Sequence, residues 1–281
     1  MLRSLPYLYG KERYLRVSPS AISTALHLDD GCPRKYYYQS VLGHWRPASK
    51  SSKTGNDVHE AIENGLTGRD INVHGTRIGA IAAGAIRTIP GLPDSLDEGL
   101  DPADGWGVET RCDFPCHPLV PFTCRVDLHR DGWIRDWKTT SNKSFRWAKT
   151  SYELAEDVQL LSNAYVLLAS DPPDMVEVEH ANVYVGAGQP RIEVVPAITP
   201  WSQVEDTWFE TVVPAATFIA DLYQLAVPEN ETPKLKYAER VPYGPESACN
   251  SYNRPCEFTS ICSACPASRV TTRLPNMDNL L

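Results

Sequence analysis

Two carboxylates and an ammonium flank one tight turn in "CRVDLHRDGWIRDWKTT": Asp127, Asp136 and Lys138. Asp131–Gly132 is a strong signal for a two-residue hairpin loop. With that loop, Arg130 pairs with Trp133 and Asp127 falls opposite Asp136. Like charges directly opposed across strands repel, so something must neutralise them. Arg125 and Lys138 share their face and can do so, and so can a divalent cation. The other face carries Val126, Leu128, Trp133 and Trp137, which should pack into the core. Taken alone, Asp-x-Lys also fits a solvated strand face with local ion pairs.

The elements that must position this hairpin are legible around it. Strands are expected at 106–114, 121–129 and 133–139, followed by an amphipathic helix over 152–169. "MVEVEHANVYVG" and "RIEVVPAI" read as two further strands, and 199–226 as a helix kinked or broken at Pro214. Upstream, Ser18 can cap a helix with Pro19 in its first position, and Pro33 can start a second short one. "GNDVHEAIENGL" puts Val58, Ala61, Ile62 and Gly65 on one helical stripe, and another helix fits 76–87. Residues 90–105 read as a loop and 227–248 as a Pro-rich linker. Helices around a mixed sheet make the chain α/β or α+β.

Composition narrows the class. Of 281 residues, 42% are hydrophobic, enough to bury a core, and no apolar run is long enough to span a membrane. The start "MLRSLPYLYGKERYLRV" has no sustained apolar stretch and no small-residue cleavage site, so a cytoplasmic protein is expected. A net charge of −8 argues against indiscriminate coating of nucleic acid. It is compatible with an enzyme that holds acidic metal ligands and one local basic track. That track is Lys143, Arg146 and Lys149, interleaved with Phe145 and Trp147, and it suits single-stranded DNA. It equally fits an ordinary surface loop with two core-facing aromatics.

Eight cysteines are too few for a disulfide scaffold. Four crowd the C-terminal end: Cys249, Cys256, Cys262 and Cys265. Only the last two have the two-residue spacer of a zinc knuckle, so a zinc ribbon fits poorly. Cys112, Cys116 and Cys124 read as small core residues.

Together these segments resemble the PD-(D/E)XK nuclease superfamily, and within it the RecB-type nucleases. The segments "SPSAISTALHLDDGCPRKYYYQ", "GNDVHEAIE", the hairpin, "VQLLSNAY" and the terminal cysteines follow the family's order and span nearly the whole chain. The glycine of the family's Gly-x-x-Asp is missing here, and Gln159 and Tyr165 stand six apart instead of four, which leaves Asn163 as a possible stand-in. The resemblance implies a restriction-endonuclease-like core in one nuclease domain, with 55–226 as its centre and 267–281 as a polar tail. It implies Mg²⁺ or Mn²⁺ held by His59, Asp127, Asp136 and the Trp137 carbonyl. Glu109 would support the site or be a surface residue. Lys138 would orient or deprotonate the attacking water, and Gln159 would help position it.

The resemblance also implies a [4Fe–4S] cluster on Cys32, Cys256 and Cys262, with Cys249 preferred over Cys265 as the fourth ligand. Residues 1–50 and 245–266 would then form a cluster subdomain. Iron–sulfur relatives of this kind include the CRISPR-associated single-domain nucleases and the AddB nuclease domain. The expected function is a metal-dependent exonuclease on single-stranded DNA ends, in a bacterial or phage-infected cell, with protein partners in recombination or CRISPR adaptation. Two alternatives stay open: a catalytically silent DNA-end-binding iron–sulfur subunit, and an α/β protein with structural zinc.

Overall fold

The computed structural model describes residues 15–26, 31–44, 50–228, 231–244, 246–249 and 256–263. Cys265 and the 267–281 tail lie outside the described residues. The chain forms two compact units, one of Met1–Arg46, Phe114–Thr123 and Thr211–Leu281, the other of Pro47–Asp113 and Cys124–Glu210.

The second unit is built on a five-stranded mixed sheet in the order β1-β2-β3-β4-β5. The strands are β1 (Gly107–Phe114), β2 (Phe122–Arg130), β3 (Trp133–Thr140), β4 (Met175–Tyr184) and β5 (Arg191–Pro200). β2 and β3 form the hairpin with Arg130 paired to Trp133, as the Asp-Gly loop predicted. Both turn residues, Asp131 and Gly132, have positive φ, the requirement of this turn type. β3 and β4 run parallel and β4 and β5 antiparallel. The result is the α/β fold expected of a restriction-endonuclease-like core.

Helices α3 (Lys50–Leu66) and α4 (Thr76–Ile86) cover one side of the sheet. Val58, Ala61, Ile62 and Leu66 of α3 pack with Ile81, Ala82 and Ala85 of α4 against Leu128, Trp137, Ala181 and Val183. The expected stripe on α3 is therefore the core face. The helix expected over 152–169 is two helices, α5 (Ser151–Ala155) and α6 (Val158–Leu168). Asp157 makes the break: its Oδ1 accepts from Leu160 N at 2.9 Å and starts a new helix. The segment after β5 also departs from one kinked helix. α7 (Trp201–Thr207) passes through a π turn, Trp208–Val212, into a further helix. The irregularity precedes Pro214 because proline is tolerated in a first helical turn.

In the first unit, Ser18 caps α1 (Pro19–Ala25) by accepting from Ala21 N. α2 (Pro33–Tyr36) continues into a π turn, Tyr37–Val41, and α8 (Val213–Ala226) contacts α1. Arg34 is buried and binds the carbonyls of Val241 and Glu239 and the hydroxyl of Ser263. Tyr38 stacks on Phe258 at 4.8 Å and donates to Ile261 O. The charged arm and the aromatic rings of "CPRKYYY" thus tie it to the C-terminal cysteine region. Among the described residues no helix is long and apolar enough to cross a membrane.

Candidate active site

From the turn, β2 and β3 pair through Leu128–Arg135. One step further, the Asp127 carboxylate itself takes the Trp137 N–H, with Oδ2 at 2.8 Å. A side chain thereby replaces a backbone partner, and Asp127 is fixed beside the Trp137 peptide. Helix α3 approaches the far end of β3 closely at Gly55, where an added Cβ would lie 2.7 Å from Thr139 Oγ1. A side chain here would require the Thr139 hydroxyl to move aside. One turn on, His59 Nδ1 reaches within 3.6 Å of Asp127 Oδ2, and the Trp137 backbone bonds its ring. Burial pulls the His59 pKa down against the attraction of Asp136, so the ring is neutral and fit to ligate.

The third carboxylate of this group is Glu109 on β1. Its φ of 49° lies in the left-handed region, which side chains rarely adopt within a strand. The ligand atoms of His59, Glu109 and Asp127 all lie within 4.8 Å of one another. Glu109 also forms an ion pair with Arg125, which reaches Glu63 at 3.3 Å. Burial and the neighbouring Asp127 push the Glu109 pKa up to about 8. Asp127 and Asp136 are raised too, by burial first. Neutral imidazole, hard oxygens and a surplus of negative charge would suit a divalent cation.

These shifts make a prediction for the cation-free protein. A carboxylate with a raised folded-state pKa stabilises fully below its ordinary value and loses that contribution as pH rises through the raised one. Thermal stability after chelation should therefore fall as pH climbs from 4.5 to about 8, the span of the Glu109 shift. Adding Mg²⁺ or Mn²⁺ should restore it most at the upper end. A chelated protein whose melting temperature is flat or rises across that span contradicts this electrostatic picture.

Asp136 sits beside this group in a triangle with the other expected residues. Gln159 Nε2 donates to Asp136 Oδ1 at 2.6 Å, and Gln159 Oε1 accepts from Lys138 Nζ at 3.0 Å. Lys138 Nζ in turn lies 2.7 Å from Asp136 Oδ2. Burial alone would lower the Lys138 pKa, but Asp136 and Asp127 outweigh it and raise it. Lys138 is thus held as an ammonium.

The family model described as "PD-(D/E)XK nuclease superfamily" matches residues 16–263. The chain belongs to this superfamily. No match was found among the curated proteins. Members of the PD-(D/E)XK superfamily are nucleases that act on DNA with divalent metals such as Mg²⁺.

In this PD-(D/E)XK chain the cluster opens into a cleft of about 710 Å³. Asn56, His59, Glu63, Glu109, Arg125, Asp127 and Thr139 are among its lining residues. The structure brings together His59, Asp127, Asp136, the Trp137 backbone, Lys138 and Gln159. The basic track is more divided. Lys149 pairs with Asp157, so its charge helps hold the start of α6. Arg146 lies over its neighbour Trp147, whose side chain is 73% exposed. Lys143 is exposed, and Phe145 is buried under Arg191. Tyr165 stacks with Trp208 at 4.3 Å and Trp201 at 5.9 Å, while Asn163 is buried on α6. Two residues at the site were not singled out as ligands or partners from sequence. Glu109 could be read only as a supporting or surface residue, because its backbone turn is invisible in a strand pattern. His180, paired with Asp136 across β3 and β4, carried no motif.

Proposed function

We propose that this protein is a metal-dependent DNA exonuclease that hydrolyses phosphodiester bonds from single-stranded ends. The observation that carries the reading is the close set of His59, Glu109 and Asp127 beside the Asp136–Lys138–Gln159 triangle. Mg²⁺ or Mn²⁺ held by His59, Asp127, Asp136, Glu109 and the Trp137 carbonyl would lower the pKa of a bound water and offset charge on the phosphate. The chain's own part is positional and electrostatic. Lys138, kept charged by Asp136 and Asp127, offers an ammonium to the attacking water and to the developing phosphate charge. That charged state favours orientation over deprotonation as its role. Gln159 bridges Lys138 and Asp136 and so fixes both.

Trp147, exposed beside Arg146, suits stacking on an unpaired base of a single strand. Trp147→Ala should weaken binding of a short single strand about tenfold, measured by fluorescence anisotropy. It should leave duplex binding and the melting temperature nearly unchanged.

The same reading includes a [4Fe–4S] cluster on Cys32, Cys249, Cys256 and Cys262, closing a subdomain of 1–50 and 245–266. Three observations support it. Cys32 Sγ accepts from Gly244 N at 3.2 Å, the kind of hydrogen bond that cluster sulfurs receive. Cys256 N donates to Cys249 O at 2.7 Å. Arg34 and Tyr38, close after Cys32, bind Ser263 and Ile261, the residues on either side of Cys262. Iron and sulfide assayed on anaerobically purified protein test this part. Such an enzyme would work in the cytoplasm of a bacterial or phage-infected cell, with partners in recombination or CRISPR adaptation.

Linear and circular single strands, each incubated with Mg²⁺ or Mn²⁺, test the exonuclease reading. Mononucleotides or short products from the linear substrate only are the expected result. Cutting of the circle makes the enzyme an endonuclease, and binding without cutting makes it an end-binding subunit.

A further inference from the structure

His180 is buried on β4, with 4% of its surface exposed. Its Nε2 has no hydrogen-bond partner among the described residues, yet it points at Asp136, 3.8 Å from Oδ2. That distance is too long for a hydrogen bond and too short for indifference. The placement is set by backbone register: β3 and β4 pair in parallel with Asp136 directly beside His180. A buried nitrogen left without a partner costs stability, so its persistence calls for a state in which it is satisfied. In the structure that oxygen is engaged by the Lys138 ammonium at 2.7 Å.

We propose that His180 is a positioning residue for Asp136, donating Nε2–H to Oδ2 when a divalent cation occupies the cluster and Lys138 turns to substrate. The inference rests on the nuclease reading above, in which Asp136 is a metal-site carboxylate and Lys138 serves the phosphate. A carboxylate that ligates a metal is itself held by hydrogen bonds, and a rotation moving Oδ2 by about 1 Å brings it into range. Gln159 holds the other oxygen, Oδ1, so the two donors would fix the carboxylate at both ends.

The test is Mn²⁺ affinity of chelator-stripped protein, by calorimetry or electron paramagnetic resonance, read beside the melting temperature without metal. His180→Leu should raise the Mn²⁺ dissociation constant about 10- to 100-fold. It should leave the metal-free melting temperature unchanged or higher, because Nε2 has no partner to lose there. His180→Gln places an amide N–H near the position of Nε2 and should restore most of the affinity. Wild-type affinity in His180→Leu overturns the proposal, as does equal weakness of the Gln and Leu variants. A metal-free melting temperature that drops in both variants also overturns it, in favour of a packing role. Asp136→Asn is the control: if it leaves Mn²⁺ affinity unchanged, the metal-site reading of Asp136 fails, independently of anything His180 does.

Discussion

Asp136→Asn should abolish metal-dependent DNA cleavage while leaving the fold intact. Asparagine keeps the shape of the side chain and an oxygen for the Gln159 amide, but removes the charge that draws a cation and holds Lys138 as an ammonium. Loss of a preorganised charge of this kind costs about 10²–10³-fold in rate, and loss of a metal ligand adds to that. The stability effect runs the other way. Burial and the Asp127 charge raise the Asp136 pKa although Lys138 opposes them, so the carboxylate is a cost to the metal-free fold near neutral pH. Metal-free Asp136→Asn should therefore melt at or above the wild-type temperature at pH about 8. Loss of activity with loss of fold would place Asp136 in the scaffold instead.

The second large effect is on stability. Arg135 lies on the core side of the hairpin with a side chain only 1% exposed, between the rings of Trp133 and Trp137. Glu179 on β4 neutralises it: Arg135 Nε donates to Oε2 at 2.7 Å. Thr88 takes two further donors, through its hydroxyl at 3.0 Å and its carbonyl at 3.1 Å. Glu179→Ala strands a buried guanidinium and should cost about 3–5 kcal/mol in urea unfolding. Replacing both partners, Arg135→Met with Glu179→Leu, should recover most of that, because an apolar pair of similar volume leaves no charge unpaired. A loss below about 1 kcal/mol in Glu179→Ala would mean that the pair is solvated as a surface bridge is. Trp137 shares this packing and carries the backbone that meets Asp127 and His59, so Glu179→Ala should lower cleavage as well.

The parts of the site that local rules govern could be read from sequence. The Asp-Gly turn fixes the register that pairs Arg130 with Trp133 and leads Asp127 to the Trp137 peptide, beside Asp136, and the stripe on α3 follows from helical periodicity. Ser18 and Pro19 mark a helix start by the same local chemistry. What escaped depends on contacts distant in sequence or on unusual backbone. Glu109 joins the cluster on a strand residue at φ 49°, which alternation does not foretell. His180 reaches Asp136 through a parallel pairing, whose register no turn determines. Asp157 broke an apparently continuous helical pattern by capping Leu160, and in doing so it took the charge of Lys149. Tyr165 found its partners in Trp201 and Trp208, rings about 40 residues away that the spacing from Gln159 says nothing about.

In the proposed function this cluster holds a divalent cation, and the cation acts with Lys138 to cut DNA. The measurement that tests it most directly is hydrolysis of an end-labelled linear single strand by chelator-stripped protein titrated with Mn²⁺ or Mg²⁺, run beside Lys138→Ala and Asp127→Asn. No cleavage without metal, cleavage that saturates with it, and loss of about 10²-fold or more in both variants are expected. Cleavage that survives chelation, or that is unchanged in either variant, would contradict it.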